Sequence, residues 1–160
     1  MRYAGLGAFW GFDHPFNIST HLDGSEQTNN RAELAAVLRV LRIENRPVEI
    51  RTDSAYVHDG IKKHRFAWRA RAWTTKRRKV RNADLWAAID EILTSRPHGA
   101  VELVKVKGHA TAEDVRRGRV ALEDKQGNDE ADTLAVAGAY VNPLAAPRRQ
   151  AAADPGLPAH

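Results

Sequence analysis

The 160-residue chain contains no cysteine. Disulfides and thiolate metal sites are therefore excluded, and any metal must be held by oxygen or imidazole donors. Long apolar runs are missing too; nothing approaches the ~20 residues of a membrane-spanning helix. There is no Gly-x-x-x-x-Gly-Lys phosphate loop, no dinucleotide fingerprint and no Gly-x-Ser-x-Gly elbow, which sets aside three common enzyme frameworks. Met1-Arg2-Tyr3-Ala4-Gly5 runs directly into an apolar segment, so no leader is expected. The expected setting is intracellular, in cytoplasm or nucleus, without membrane association and as a monomer.

One stretch also lacks acid. Residues 60–83 hold no Asp or Glu, yet carry Lys62, Lys63, Arg65, Arg69, Arg71, Lys76, Arg77, Arg78, Lys79 and Arg81, which is 10 of the 25 basic residues. The remainder has 15 basic against 20 acidic residues. A basic segment on an acidic body points to a polyanionic partner. Trp68 and Trp73 lie inside the run, and aromatic with basic side chains suit stacking and backbone contacts to nucleic acid.

Residues 4–11 and 16–22 read as two strands of an antiparallel hairpin around Asp13-His14-Pro15. In residues 30–42, Leu34, Val37, Leu38 and Leu41 recur at i, i+3, i+4 and i+7, predicting an amphipathic helix capped by Thr28, Asn29 or Asn30. A strand is expected over 48–52, then a short helix capped by Asp53-Ser54 and ending near Gly60. The basic segment reads as helix plus loop. A helix over 83–94, a strand over 101–106 and a last helix over 130–140 follow, with no period visible in 111–126. Past Val141 the Pro/Ala-rich tail, residues 142–160, is expected to be disordered. Strands first and helix–strand alternation afterwards indicate an α/β fold with a mixed sheet flanked by helices.

Three acids stand at the edges of these elements. Glu33 falls in a first helical turn, Asp53 at a strand's carboxyl end, and Asp132 near the start of the last helix. Each has an ordinary structural use: Glu33 in a capping box with Asn30, Asp53 as an N-cap, Asp132 as charge favourable at a helix start.

Their surroundings carry more. Gln27-Thr28-Asn29-Asn30-Arg31-Ala32-Glu33, Thr52-Asp53-Ser54, Lys105-Val106-Lys107-Gly108-His109 and Gly127-Asn128-Asp129-Glu130-Ala131-Asp132 occur in that order. This series resembles the successive motifs of the type 1 ribonuclease H family, over about residues 3 to 141. The resemblance implies an endonuclease that hydrolyses the RNA strand of RNA–DNA hybrids with two Mg²⁺ ions, for which Mn²⁺ can substitute. It implies Glu33, Asp53 and Asp132 as metal ligands, with Asp129 competing for the last place, and His109 as an assistant in proton transfer or product release. It also implies minor-groove contacts from Asn29 and Asn30, a DNA-phosphate pocket at Thr28 and Asn82, and an aromatic channel from Tyr56 and Trp68. His64 stands where that channel would hold a third aromatic, and Trp73 is expected to pack the basic protrusion.

Two departures are visible. The family's first, central strand carries a Thr-Asp-Gly motif whose Asp is a shared metal ligand, and here that strand would precede Arg2. Its absence from residues 1–141 is expected to leave a gap in the core and an unstable or impaired chain, so a hybrid-binding module or a structural relic without cleavage is the alternative. Asp23-Gly24-Ser25 has similar letters but follows the hairpin. The stretch 110–126 is longer than in compact members and is similar to ribonuclease H domains joined to retroelement polymerases, which suggests a larger polymerase-containing polypeptide as context.

Overall fold

The computed structural model describes residues 5–9, 11, 14, 15 and 17–139. The expectations for a strand ahead of Arg2 and for a disordered tail over 142–160 lie outside these residues. Strands β1 (Gly5–Ala8) and β2 (Ile18–His21) pair antiparallel, from Gly5 opposite His21 to Ala8 opposite Ile18. Helix α1 (Asn29–Ile43) follows, and then β3 (Val48–Thr52). Helix α2 (Ala55–Asp59) runs through a π-helical turn (Gly60–His64) into α3 (Arg65–Ala70). Short strands β4 (Thr74–Thr75) and β5 (Arg78–Lys79) form a hairpin, followed by α4 (Ala83–Ser95). Strand β6 (Val101–Lys105), α5 (Ala112–Arg116) and α6 (Leu122–Ala139) complete the order.

α1 is the organising element because it is buried on two sides. Leu34, Val37, Leu38 and Leu41 join Val57, Ile61, Trp86, Ile89 and Leu103 in one cluster. Ala32 and Val40 join Ile18 and Leu22 in another. Leu34 and Trp86 are each 0% exposed, and truncating either to Ala would cost about 3–5 kcal/mol.

β3 and β6 are parallel, with Val48 opposite Val101 and Thr52 opposite Lys105. Their carboxyl ends therefore coincide, and Val106 N–H donates to the Thr52 carbonyl at 2.9 Å. That pairing sets Asp53 beside the Lys107-Gly108-His109 loop.

Among the described residues no strand joins β1 to β3. A cleft of about 480 Å³ lies between them, lined by Gly7, Ala8 and Phe9, by every residue of 48–53, and by faces of α1 and α6. A strand that lines a space with consecutive residues presents its hydrogen-bonding edge, since residues on one face would alternate. The cleft thus lies along the hydrogen-bonding edge of β3, on the side facing the hairpin.

Several expected boundaries change. Both hairpin strands are shorter than expected. Gly60 does not end a helix; it is helical, and a Cβ there would come within 2.0 Å of the Trp86 ring. Its role is close packing against the buried indole. The stretch 111–126 holds α5 and the start of α6. Thr111 and Asp114 make a reciprocal capping box, and Asp114 also binds Lys107 and Arg119. Asp114 is consequently held below the usual carboxylate range, first by the Thr111 backbone N–H and then by Lys107.

Candidate active site and nucleic-acid surface

The ordinary uses of the three acids do not hold in the structure. Thr28 is the N-cap of α1, its hydroxyl accepting from Arg31 N–H, so Glu33 sits in the second turn and caps nothing. Ser54, not Asp53, caps α2, accepting from Val57 N–H at 3.1 Å. Asp132 lies well inside α6, whose first turn carries Glu123 and Asp124 instead. Glu33, Asp53 and Asp132 all line the cleft between β1 and β3.

Their charges act on one another. Burial pushes the Glu33 carboxyl from 4.5 up to about 7, with the Asp53 and Asp132 charges adding to the rise. Asp132 is raised too, first by burial and then by Asp53, while His109 opposes the rise. None of the three makes a salt bridge among the described residues. The Asn128 amide spans two of them, its Nδ2 lying 3.4 Å from Asp53 Oδ2 and 3.5 Å from Asp132 Oδ2.

This cost has a measurable sign. Between pH 4.5 and 7 the folded chain keeps a proton on Glu33 that the unfolded chain has released. The stabilisation is fully present below 4.5 and is lost as pH rises through 7, by up to about 3 kcal/mol. Urea midpoints measured in chelator at pH 4.5 and pH 7.5 should therefore fall with rising pH. Midpoints that rise by a comparable amount would contradict the placement of these acids.

His109 is exposed on the loop after β6, with φ +51. Gly108 precedes it, and a Cβ there would stand 2.6 Å from Asp53 Oδ2. A side chain at this position would push the Asp53 carboxylate aside. Asp23 is not in the cleft; its side chain is 73% exposed and contacts His21 Nε2 at 3.2 Å. Asp129 is paired with Lys125 on the exposed side of α6.

The second set of expected residues gathers around the start of α1 and of α4. Thr28, Asn29 and Asn30 are exposed at the α1 N-terminus, with Asn29 reaching the cleft. His64, Trp68, Trp86 and Tyr56 form an aromatic series with successive ring centroids 5.4, 5.3 and 5.5 Å apart. Asn82 is buried in the left-handed region, φ +57, and donates to Tyr56 Oη. Trp73 packs against the main core cluster, as expected for a structural residue.

The basic segment divides. Arg65 and Arg69 are both bound to the buried Asp90, at 2.7 and 3.2 Å, so they anchor α3 to α4. Arg71, Lys76, Arg77, Arg78, Lys79 and Arg81 are exposed and form no salt bridge among the described residues. Lys76 and Arg77, at the β4–β5 turn, both have positive φ, the type I′ geometry that Asn-Gly usually supplies. The exposed charge without a salt bridge is therefore concentrated on and beside this hairpin.

The motif reading passed over Arg31, Asp84, Trp86 and Asn128. Trp86 lies in an apolar helix, where nothing local marks it as more than core.

Small sheets flanked by helices, with carboxylates from α1, β3 and α6 on one cleft, define an α/β domain with an acidic site at strand carboxyl ends. The RNase H family model matches residues 2–140, and the chain belongs to that family. It is 44% identical to a ribonuclease H of Methylobacillus flagellatus over 114 residues, 69% of this chain and 65% of that protein. It is 41% identical to a ribonuclease H of Aromatoleum aromaticum over 132 residues, covering 81% and 72%. Among solved structures, the prototype foamy virus protease–reverse transcriptase matches with a TM-score of 0.61 at 27% identity, over 79% of this chain and 16% of that one. The foamy virus RNase H domain matches with a TM-score of 0.57 at 28% identity, over 76% and 70%. The chain thus spans about two thirds of the length of the bacterial relatives.

Proposed function

We propose that the chain hydrolyses the RNA strand of RNA–DNA hybrids, with divalent cations held by Glu33, Asp53 and Asp132. The observation that carries this reading is three carboxylates from three elements on one cleft, none of them in a salt bridge with Lys or Arg among the described residues. Such a cluster is unfavourable unless a cation joins it. An all-oxygen donor set suits Mg²⁺, and Mn²⁺ as a substitute. Among the described residues no three acidic or histidine side chains converge closely enough to clasp an ion as they stand, so a cation would have to draw them in. Two bound cations supply charge neutralisation at the scissile phosphate and activation of the attacking water.

The protein's own groups do the rest. Asn128 holds the Asp53 and Asp132 carboxylates on a common donor. Gly108 keeps the His109 loop against Asp53, and exposed His109 carries a proton to or from the departing strand. The exposed β4–β5 cations meet the phosphate backbone, and the Asn29 and Asn30 amides meet the minor groove, where the 2′-hydroxyl distinguishes RNA. The cleft between β1 and β3 takes an extended segment bearing the fourth carboxylate. A polymerase-containing polypeptide is the broader setting, supported by the foamy virus likeness.

The test is cleavage of a 5′-labelled RNA–DNA hybrid with and without Mg²⁺. Mg²⁺-dependent cuts confined to the RNA strand are expected. Salt-sensitive binding without cuts would favour the binding-module alternative, and neither binding nor cuts would end both.

A further inference from the structure

Asp114 ties together the two ends of the loop that carries His109. Its Oδ1 accepts from Lys107 Nζ at 2.9 Å. Its Oδ2 accepts from Thr111 N–H at 2.9 Å and from the Thr111 hydroxyl at 3.1 Å. Lys107 and Thr111 stand two residues before and two residues after His109. One carboxylate therefore closes residues 107–111 into a ring. Arg119 Nε, at 2.9 Å, completes its partners from beyond α5.

An exposed carboxylate would give such a clasp little strength, because water competes for every bond. Asp114 is 4% exposed, so these bonds are sheltered and a lost partner is costly. Helix capping does not account for the whole arrangement. The reciprocal box between Thr111 and Asp114 satisfies the start of α5 and needs nothing from Lys107. Yet Lys107 reaches in from the far side of the loop, where a lysine head group would ordinarily stay in water.

The loop also needs holding. His109 has φ +51, a conformation that a non-glycine residue keeps only where its neighbours enforce it. On either side of the turn Val106 and Ala110 are buried, and Gly108 lies against Asp53. His109 is thus the exposed crest of a loop pinned at its base. Opening the ring at one end would let the backbone relax and carry the imidazole away from Asp53.

Resting on the function proposed above, we infer that Asp114 is a positioning residue for His109, fixing the loop through Lys107 and Thr111 in the conformation from which the histidine serves the reaction. The stretch 110–126 then has a part in the chemistry, although Asp114 acts on the substrate only through the loop.

Lys107→Met opens the ring on one side and leaves the capping box whole, whereas Asp114→Asn weakens both sides. With hybrid substrate and Mg²⁺, each should lower kcat about tenfold and leave KM within about twofold of the parent. His109→Ala should lose more, and adding either change to it should cost nothing further, since the group being positioned is gone. Hydrogen exchange of the metal-free chain gives a readout apart from activity. Amides of residues 108–111 should exchange faster in Lys107→Met than in the parent, with those of α1 unchanged. Lys107 is half exposed, so this variant serves if Asp114→Asn fails to fold. Parent-like kcat and exchange in Lys107→Met would reduce Asp114 to a helix cap and overturn the inference. A Lys107→Met loss that persists in full on the His109→Ala background would overturn it too, and both results leave the cleavage reading intact. If the parent cuts no hybrid, the cleavage reading and the positioning role fall together, and faster exchange in Lys107→Met would leave Asp114 a structural clasp.

Discussion

Asp53→Asn should lower Mg²⁺-dependent cleavage of a hybrid by at least about 10²–10³-fold while leaving hybrid binding within a few-fold of the parent. The carboxylate stands at the carboxyl end of β3, is not the cap of α2, and carries the charge that helps raise both Glu33 and Asp132. Replacing it with an amide removes one carboxylate of the cluster without changing shape. The same change should modestly stabilise the metal-free chain near neutral pH, because one of the two charges that add to the burial-driven rise of Glu33 would be gone. Activity and stability therefore move in opposite directions, as expected where a site is held in an unfavourable state. Denaturant midpoints in chelator and single-turnover cleavage in Mg²⁺ read the two effects separately. Loss of stability together with activity would show that Asp53 is a structural residue after all. Gly108→Ala should give a smaller loss in cleavage, since its Cβ would displace the same carboxylate from outside.

The sequence made the architecture legible wherever period and chemistry coincided. α1 follows from its apolar spacing and from Thr28, and β3 was placed to the residue because Pro47 and Asp53 bracket an apolar alternation. α6 was legible only in its second half. Its first half, with Gln126, Gly127 and Asn128, is polar and low in helix propensity, and it is helical because the following turns pack against the β1–β2 hairpin. Gly60 misled for the opposite reason: a residue that usually ends helices is used here to admit the Trp86 ring.

The site was legible as letters and not as an environment. The motif order named Glu33, Asp53 and Asp132, but each also had an ordinary capping use that only the structure removes. Arg65 and Arg69 counted toward a binding surface until Asp90 was found beneath them. The hydrogen bonds linking Arg31, Asp84, Asn82, Tyr56 and Trp86 join residues from α1, α2 and α4. No local period links them, so only folding could bring them into one network.

A peptide of about ten residues, alternating apolar side chains and ending in Thr-Asp-Gly, should bind the cleft between β1 and β3 and raise the chain's Mg²⁺-dependent cleavage. The physical case rests on the two edges. β1 pairs only with β2, and β3 only with β6, among the described residues, so each leaves a row of backbone donors and acceptors toward the space between them. Small side chains of α1 and α6, Ala32, Ala36, Ala131 and Ala135, form walls that admit one more strand. An added strand would hydrogen-bond on both edges and merge the two apolar clusters into one core. At a hundredfold excess over Kd, binding stabilises by about 2.7 kcal/mol, equivalent to roughly 10 °C in Tm for a domain of this size. The Asp→Ala version of the peptide should give the same thermal shift without the gain in cleavage, separating the strand from its carboxylate. A scrambled peptide lacking the alternation should do neither. If the matched peptide leaves Tm unchanged, or if the chain instead forms a dimer that the peptide cannot dissolve, the cleft is not a place for a single extended segment.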